Sequence, residues 1–437
     1  MYNYEKELYN LMRTVSYKSG IVKEIYTTDL SITQKNKLLG NAPRMFLSIA
    51  KINTDESGEL YQGSSKSINR NKSIIKAIGE SLERFCSTSN KDLLFKSVNE
   101  LSKENIDYIH PNDIIEYLDN QFDDKEFGYQ KYFDNDKLYW EKAINLNNNT
   151  EILIPAQKIY MKYPNYNEKY LDQRVTTGLA SGSTYEQAVL SALYENIERD
   201  NFMISWLFKL KGRKIEYELN DIYNHELKNL LSLIENRMQE ALHIIDISLI
   251  DNIYTIVTIL ENKNDNGISV TVAAATDLNP EKAILKSLEE LLCTSSYSYK
   301  VFENKFNNIY PNMCVDEIST LEDHMIYYFN PKNKKNIEFW LNNKKYINIK
   351  NLHNYSSLNN YENLKLCIKL LNKVNIDTYV CDITKEDVKM YGETVVKVIN
   401  PGLVDLNTHK FTIKLGNKRI QKYLKQNTIN LEPHPFP

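Results

Sequence analysis

The feature that most restricts how this chain folds is an octamer that occurs twice, Ala77-Ile-Gly-Glu80-Ser-Leu-Glu83-Arg84 and Ala192-Leu-Tyr-Glu195-Asn-Ile-Glu198-Arg199. On a helix the alanine, the first glutamate and the arginine fall along one ridge at offsets of three and four, with the second glutamate beside them. A single ridge of this kind reads as a salt-bridged, solvated face. The flanks argue otherwise: Ile74, Ile75, Ile78, Leu82 and Phe85 surround the first copy, and Val189, Leu190, Leu193 and Ile197 the second. So much of each helix is apolar that the charged ridge must face another element, and the alanine at its head lets that element come close. The periodicity predicts helices over 72–88 and 185–201. A third helix, opening near Pro280-Glu281, carries Ser287-Leu-Glu-Glu290-Leu-Leu-Cys293-Thr294, which keeps the small residue and the first glutamate but has neither the last glutamate nor the arginine.

Four half-buried carboxylates facing one another repel strongly unless a cation joins them. Hard oxygen donors in that number suit Mg2+ far better than zinc, and Mg2+ held by carboxylates commonly brings a nucleotide phosphate with it. Immediately before the second helix runs Thr176-Thr-Gly-Leu-Ala-Ser-Gly-Ser-Thr184, a small-residue loop with Ser183 or Thr184 available as N-cap. Its free N–H groups suit an anion, and it reads equally well as a plain capping loop. It is not a Walker A loop, because no Gly-Lys-Ser/Thr follows.

The rest of the chain predicts an α/β body. SGIVKEIYTT reads as a strand, and HIIDISLI and IYTIVTIL flank Asp251-Asn252 as a hairpin with a two-residue turn. ISVTVAAAT, DTYVCDIT and TVVKVINPGL supply further strands. The stretch 303–362 is rich in Asn, Lys and Tyr and reads as a peripheral insertion. No Gly/Ser-rich or Pro-rich linker divides the sequence. With 54 basic and 57 acidic residues the net charge is −3, so there is no cationic excess to grip a nucleic acid. No apolar run has the length of a membrane span or a signal peptide, which predicts a cytoplasmic chain. The five cysteines include no CxxC pair, so neither a zinc cage nor a disulfide framework is indicated.

Three stretches together, GSSKSINRNKSIIKAIGESLERF, TTGLASGSTYEQAVLSALYENIERD and the final PHPFP, resemble the YcaO-domain family. Within it they look like the stand-alone cyclodehydratase component of streptolysin-type and thiopeptide-type systems that form thiazoles and oxazoles. The resemblance implies mixed β-sheets covered by helices, with Mg2+ and ATP bound between the glutamate-bearing helices. By position it implies Glu80, Glu83, Glu195 and Glu198 as metal ligands, and Lys66, Arg84, Ala180, Ser183, Arg199 and Glu290 as nucleotide contacts. It also implies that Pro433, Pro435 and Pro437 form a stiff tail entering the active site, with the Pro437 carboxylate as general base. The chain departs from the family pattern at Lys76, Ser183, Gln187, Cys293 and Ser295, which leaves the metal count open. The division implied is 1–60, the N-terminal part of the YcaO region; 61–302, the core with the ATP and Mg2+ helices; 303–362, the insertion; and 363–437, an α/β part ending in the tail.

The activity implied is conversion of Cys, Ser or Thr in a ribosomally made precursor peptide to thiazoline or oxazoline, by ATP-dependent phosphorylation of the backbone amide oxygen. Thioamide or amidine formation is an alternative within the same chemistry, and a catalytically weak docking scaffold is the alternative outside it. The partners implied are the precursor peptide, a separate E1-like leader-binding protein and a flavin dehydrogenase, with a homodimer admitted and neither nucleic acid nor membrane expected.

Overall fold

The computed structural model describes residues 4–29, 44–52, 62–89, 92–165, 167–238, 240–264 and 267–436. Their strands sort into three sheets. β1 (Val22–Asp29), β2 (Phe46–Ile52) and β3 (Gln62–Ser67) form an antiparallel ribbon. The second sheet has the order β4-β5-β13-β14-β7, with β6 added on β5; its members are β4 (Leu94–Ser97), β5 (Lys137–Asn145), β6 (Thr150–Pro155), β7 (Leu179–Gly182), β13 (Tyr379–Asp382) and β14 (Thr394–Ile399). The third runs β11-β10-β9-β8-β12, from β8 (Arg213–Glu216), β9 (Ala241–Asp246), β10 (Tyr254–Glu261), β11 (Val270–Asp277) and β12 (Tyr346–Asn348). Residues Tyr254–Leu260 of β10 and every residue of β11 are buried, so neither strand shows the alternation of a half-exposed sheet. Helices cover this sheet.

Five helices matter below: α1 (Tyr4–Met12), α2 (Arg70–Cys86), α3 (Tyr185–Leu207), α4 (Pro280–Phe306) and α5 (Leu321–Tyr327). Their starts are written in the sequence. Asn69 caps α2 by accepting from Lys72 N, Thr184 caps α3 by accepting from Gln187 N, and Asn279 caps α4 ahead of Pro280. α2 lies on β2 and β3, α4 on β10 and β11, and α3 between β14, β7 and β11. The two octamers therefore sit on helices drawn together across β7.

Three expectations change on meeting the structure. The β9–β10 hairpin exists, but its connection runs from Ile247 to Ile253. Asp246 ends β9 by accepting from Ser248 N at 3.0 Å, and Ser248 Oγ replaces a ladder partner by accepting from Thr255 N at 2.9 Å. Asn252 does adopt the left-handed conformation expected of the turn, at φ 66°. The Thr176–Thr184 stretch is only partly loop, because Leu179–Gly182 pairs as β7 with β14. Ala, Ser and Gly are weak strand formers, and sheet pairing overrides their local preference. Residues 303–362 carry α5, further short helices and β12, and Tyr328, Phe329, Ile337 and Trp340 within them are buried in the interior. Among the described residues no helix is long and apolar enough to cross a membrane.

Candidate active site

The two octamers converge because α2 and β7 approach closely at Gly79, where a Cβ would lie 2.7 Å from Ser181 Oγ. Four residues further along α2, Glu83 Oε1 accepts from Ser181 N at 2.8 Å and from Ser181 Oγ at 2.9 Å. Glu80 Oε2 accepts from Ser64 N of β3 at 2.8 Å, and its other oxygen from Arg84 at 3.2 Å. On α3, Glu195 Oε2 accepts from Gly178 N at 3.1 Å. Gly178 has φ 80°, and a Cβ there would meet Val398 O at 2.3 Å, so only glycine delivers that amide. Arg199 spans the second pair, 3.5 Å from Glu195 Oε1 and 3.4 Å from Glu198 Oε1.

Charge accumulates where burial is deepest. Burial pushes Glu83 up to about 7; the Ser181 donors pull it back, and Glu80 and Glu195 add to the rise. Burial also raises Glu198 and Glu290, Arg199 opposes, and Glu195 repels both. These carboxylates feel one another across three helices. Among the described residues no three acidic, His or Cys side chains form a closed metal cage. The donor set nevertheless fits a divalent cation: the oxygens are hard, partly desolvated and mutually repelling, and a cation would relieve that repulsion.

Beside them opens a cleft of about 660 Å3, lined by Glu195, Glu198 and Glu290 and by Lys66, Lys72, Lys76 and Lys286. This mixture suits a phosphate-bearing ligand that arrives with its own cation. Lys66 Nζ donates to Cys293 O at 2.9 Å and stands 5.5 Å from the Tyr297 ring centroid. Glu289 is buried, but Lys76 and Lys72 outweigh that and hold its carboxyl below the usual range; Lys72 Nζ and Ser67 Oγ each bond it at 2.7 Å.

Of the residues implied by the sequence, Lys66, Glu195, Glu198 and Glu290 line the cleft, while Glu80, Glu83, Arg84 and Arg199 form the adjoining carboxylate and guanidinium layer. Ala180 is packed in the core opposite Val396 of β14, and Ser183 Oγ donates to Gln187 Oε1 at 2.8 Å. Neither lines the cleft: the alternation of β7 directs Ser181, not Ala180, toward α2, and the Ser183 hydroxyl is taken by Gln187. Pro433 and Pro435 are buried, and Pro437 lies outside the described residues. The ring of Phe436 is packed 4.8 Å from that of Phe202, with the Arg199 guanidinium 4.3 Å over its centroid. The tail thus touches the arginine that holds Glu195 and Glu198. Sequence reasoning misses Ser64, Lys72 and Glu289 as orienting groups; it marks the Thr176–Thr184 stretch that holds Gly178 and Ser181, but as an anion contact, whereas both donate to carboxylates.

A mixed α/β body with carboxylates gathered between two helices, beside a cleft rich in amines, is built to receive a divalent cation and an anionic ligand. Residues 64–404 match the family described as YcaO cyclodehydratase, ATP- and Mg2+-binding, and the chain belongs to that family. Its fold is similar to that of a heterocyclase solved in complex with substrate and cofactor (TM-score 0.76, 18% identity), covering 99% of this chain and 57% of that one. It is also similar to YcaO from Methanopyrus kandleri bound with AMPPCP and Mg2+ (TM-score 0.64, 15% identity, 100% and 96% covered). The E. coli microcin synthetase McbBCD complex with pro-MccB17 bound gives a TM-score of 0.61 at 18% identity, with 97% and 98% covered. An uncharacterised protein of Methanothermobacter thermautotrophicus is 29% identical over 160 residues, which are 36% of this chain and 40% of the relative.

Proposed function

We propose that the chain is an ATP-dependent cyclodehydratase that converts Cys, Ser or Thr of a ribosomally made precursor peptide to thiazoline or oxazoline. The observation that carries the reading is the convergence of Glu80, Glu83, Glu195 and Glu198 beside a cleft lined with lysines. Bound Mg2+ and ATP would supply the phosphoryl group that turns the amide oxygen, a poor leaving group, into phosphate. In this reading the four glutamates hold the metal, each pre-oriented by an amide or by Arg84 or Arg199, so little reorganisation accompanies binding. Lys66, Lys72, Lys76 and Lys286 offset phosphate charge, with Glu290 and the Ala180–Ser183 segment at the nucleotide's margin. Phe436 covers Arg199 and keeps water from the guanidinium. In a chain ending at Pro437, its carboxylate would take the proton of the attacking thiol or hydroxyl, and the frame of Pro433 and Pro435 limits the entropy lost in placing it.

The family, the heterocyclase likeness and the microcin synthetase likeness support this reading. We assign leader-peptide recognition to a separate E1-like protein and oxidation to the azole to a flavin dehydrogenase, a reading that the likeness to the microcin synthetase complex with pro-MccB17 bound supports. The test is mass spectrometry of precursor incubated with this chain, Mg2+ and ATP, with and without that partner. Loss of one water per ring, dependent on ATP, is expected; ATP consumption with no water lost from the peptide would sink the assignment.

A further inference from the structure

The tail that reaches Arg199 is poorly equipped to hold itself in place. Pro433 and Pro435 have no N–H, so strand pairing is closed to them and the segment offers mainly carbonyl oxygens. Side-chain donors take those carbonyls in turn. Trp206 Nε1 donates to Glu432 O at 2.9 Å, and Tyr328 Oη donates to Pro433 O at 2.5 Å. His324 Nδ1 lies 3.0 Å from His434 O, while its Nε2 lies 2.9 Å from Thr408 O. The His324 ring also stacks on that of His434 at 4.0 Å, and His434 Nε2 reaches Asn407 O at 2.8 Å. His324 and Tyr328 are four residues apart on and just past α5, so they share one face. From the same helix, Glu322 and Met325 line the cleft that Glu195 and Glu198 line. One short helix therefore walls the cleft and grips the tail.

We infer that His324 is a positioning residue: its imidazole, set between the carbonyls of Thr408 and His434, fixes the tail so that Phe436 stays under Arg199. The inference rests on the proposed function only in giving the tail a part in catalysis. A phenylalanine at 324 would keep the ring stack and lose both carbonyl contacts; a glutamine would keep one donor and lose the stack. His324 is buried, so the two variants together separate bonding from filling.

The test compares the full chain with His324→Phe and His324→Gln by hydrogen exchange and kinetics. In His324→Phe, amide exchange over residues 430–436 should rise about tenfold, the share of one lost hydrogen bond, while α2 and α3 stay protected. kcat for ring formation should fall with the KM for ATP unchanged, and His324→Gln should recover part of both. Unchanged exchange at 430–436, exchange raised equally throughout the chain, or a loosened tail with unaltered kcat would each overturn the inference. If the wild-type chain neither binds Mg2+–AMPPCP nor forms rings, the proposed function fails, and the exchange comparison still decides whether His324 holds the tail.

Discussion

At Glu83, two donors from Ser181 offset part of what burial costs a charged carboxylate, and the remainder is what a cation would relieve. Replacing Glu80 or Glu198 by Gln should therefore weaken Mg2+–nucleotide binding at least tenfold in calorimetry while thermal stability holds or rises, since a repelling charge has gone. Undiminished affinity in both variants would remove these residues from the metal site. A second carboxyl makes a prediction away from the cleft. Glu393, 4% exposed, is pushed from 4.5 up to about 7, first by burial and then by Glu7. Between those values the folded chain keeps a proton that the unfolded chain has released, so its stabilising share is complete below about 4.5 and lost as pH rises through about 7. Glu393→Gln should stabilise the protein by on the order of 1–3 kcal/mol at pH 8 and change little at pH 4.5, as read by urea unfolding. The same difference at both pH values would show that the carboxyl is ionised without penalty. The four glutamates were legible in the sequence because each octamer carries its own spacing. The bonding of Ser181 and His324 was not, since Glu83 and His434 lie 98 and 110 residues away from them and no local pattern records either pairing.

At the level of elements, α2 depends on Gly79 in a way that helix propensity hides. Gly79→Ala would gain up to about 1 kcal/mol of helix propensity, yet its Cβ would turn Ser181 Oγ away from Glu83, a loss of similar size. Stability should thus stay within about 1 kcal/mol while nucleotide affinity falls; a variant with undisturbed affinity would show that Ser181 Oγ does not orient Glu83. The helices announced themselves through apolar spacing and Asn or Thr caps, and β10 and β11 through their apolar runs. β7 was hidden by its composition, and the packing of the 303–362 stretch by the many Asn and Lys residues interspersed among its aromatics.

Across the whole molecule, the interior around Phe202, Trp206 and Trp340 is completed by Phe436. Phe436→Ala should lower stability by about 3–5 kcal/mol and uncover Arg199. Unaltered unfolding in that variant would mean that the tail merely rests on the surface. The proposed leader-binding partner belongs to this scale too: the chain with precursor, Mg2+ and ATP alone should form rings slowly, and rapid ring formation without a partner would show that recognition resides here.

The burial of Phe436 also sets an order of events during synthesis. The glutamates of α2 emerge from the ribosome about 350 residues before the ring that covers Arg199, a wait of roughly 20–70 s at 5–20 residues per second. Until then α3 and α5 have no tail to close on, and Arg199 lacks the Phe436 ring. A nascent chain that has not yet released Phe436 thus carries the glutamates of α2 and α3 without the ring that packs against Arg199.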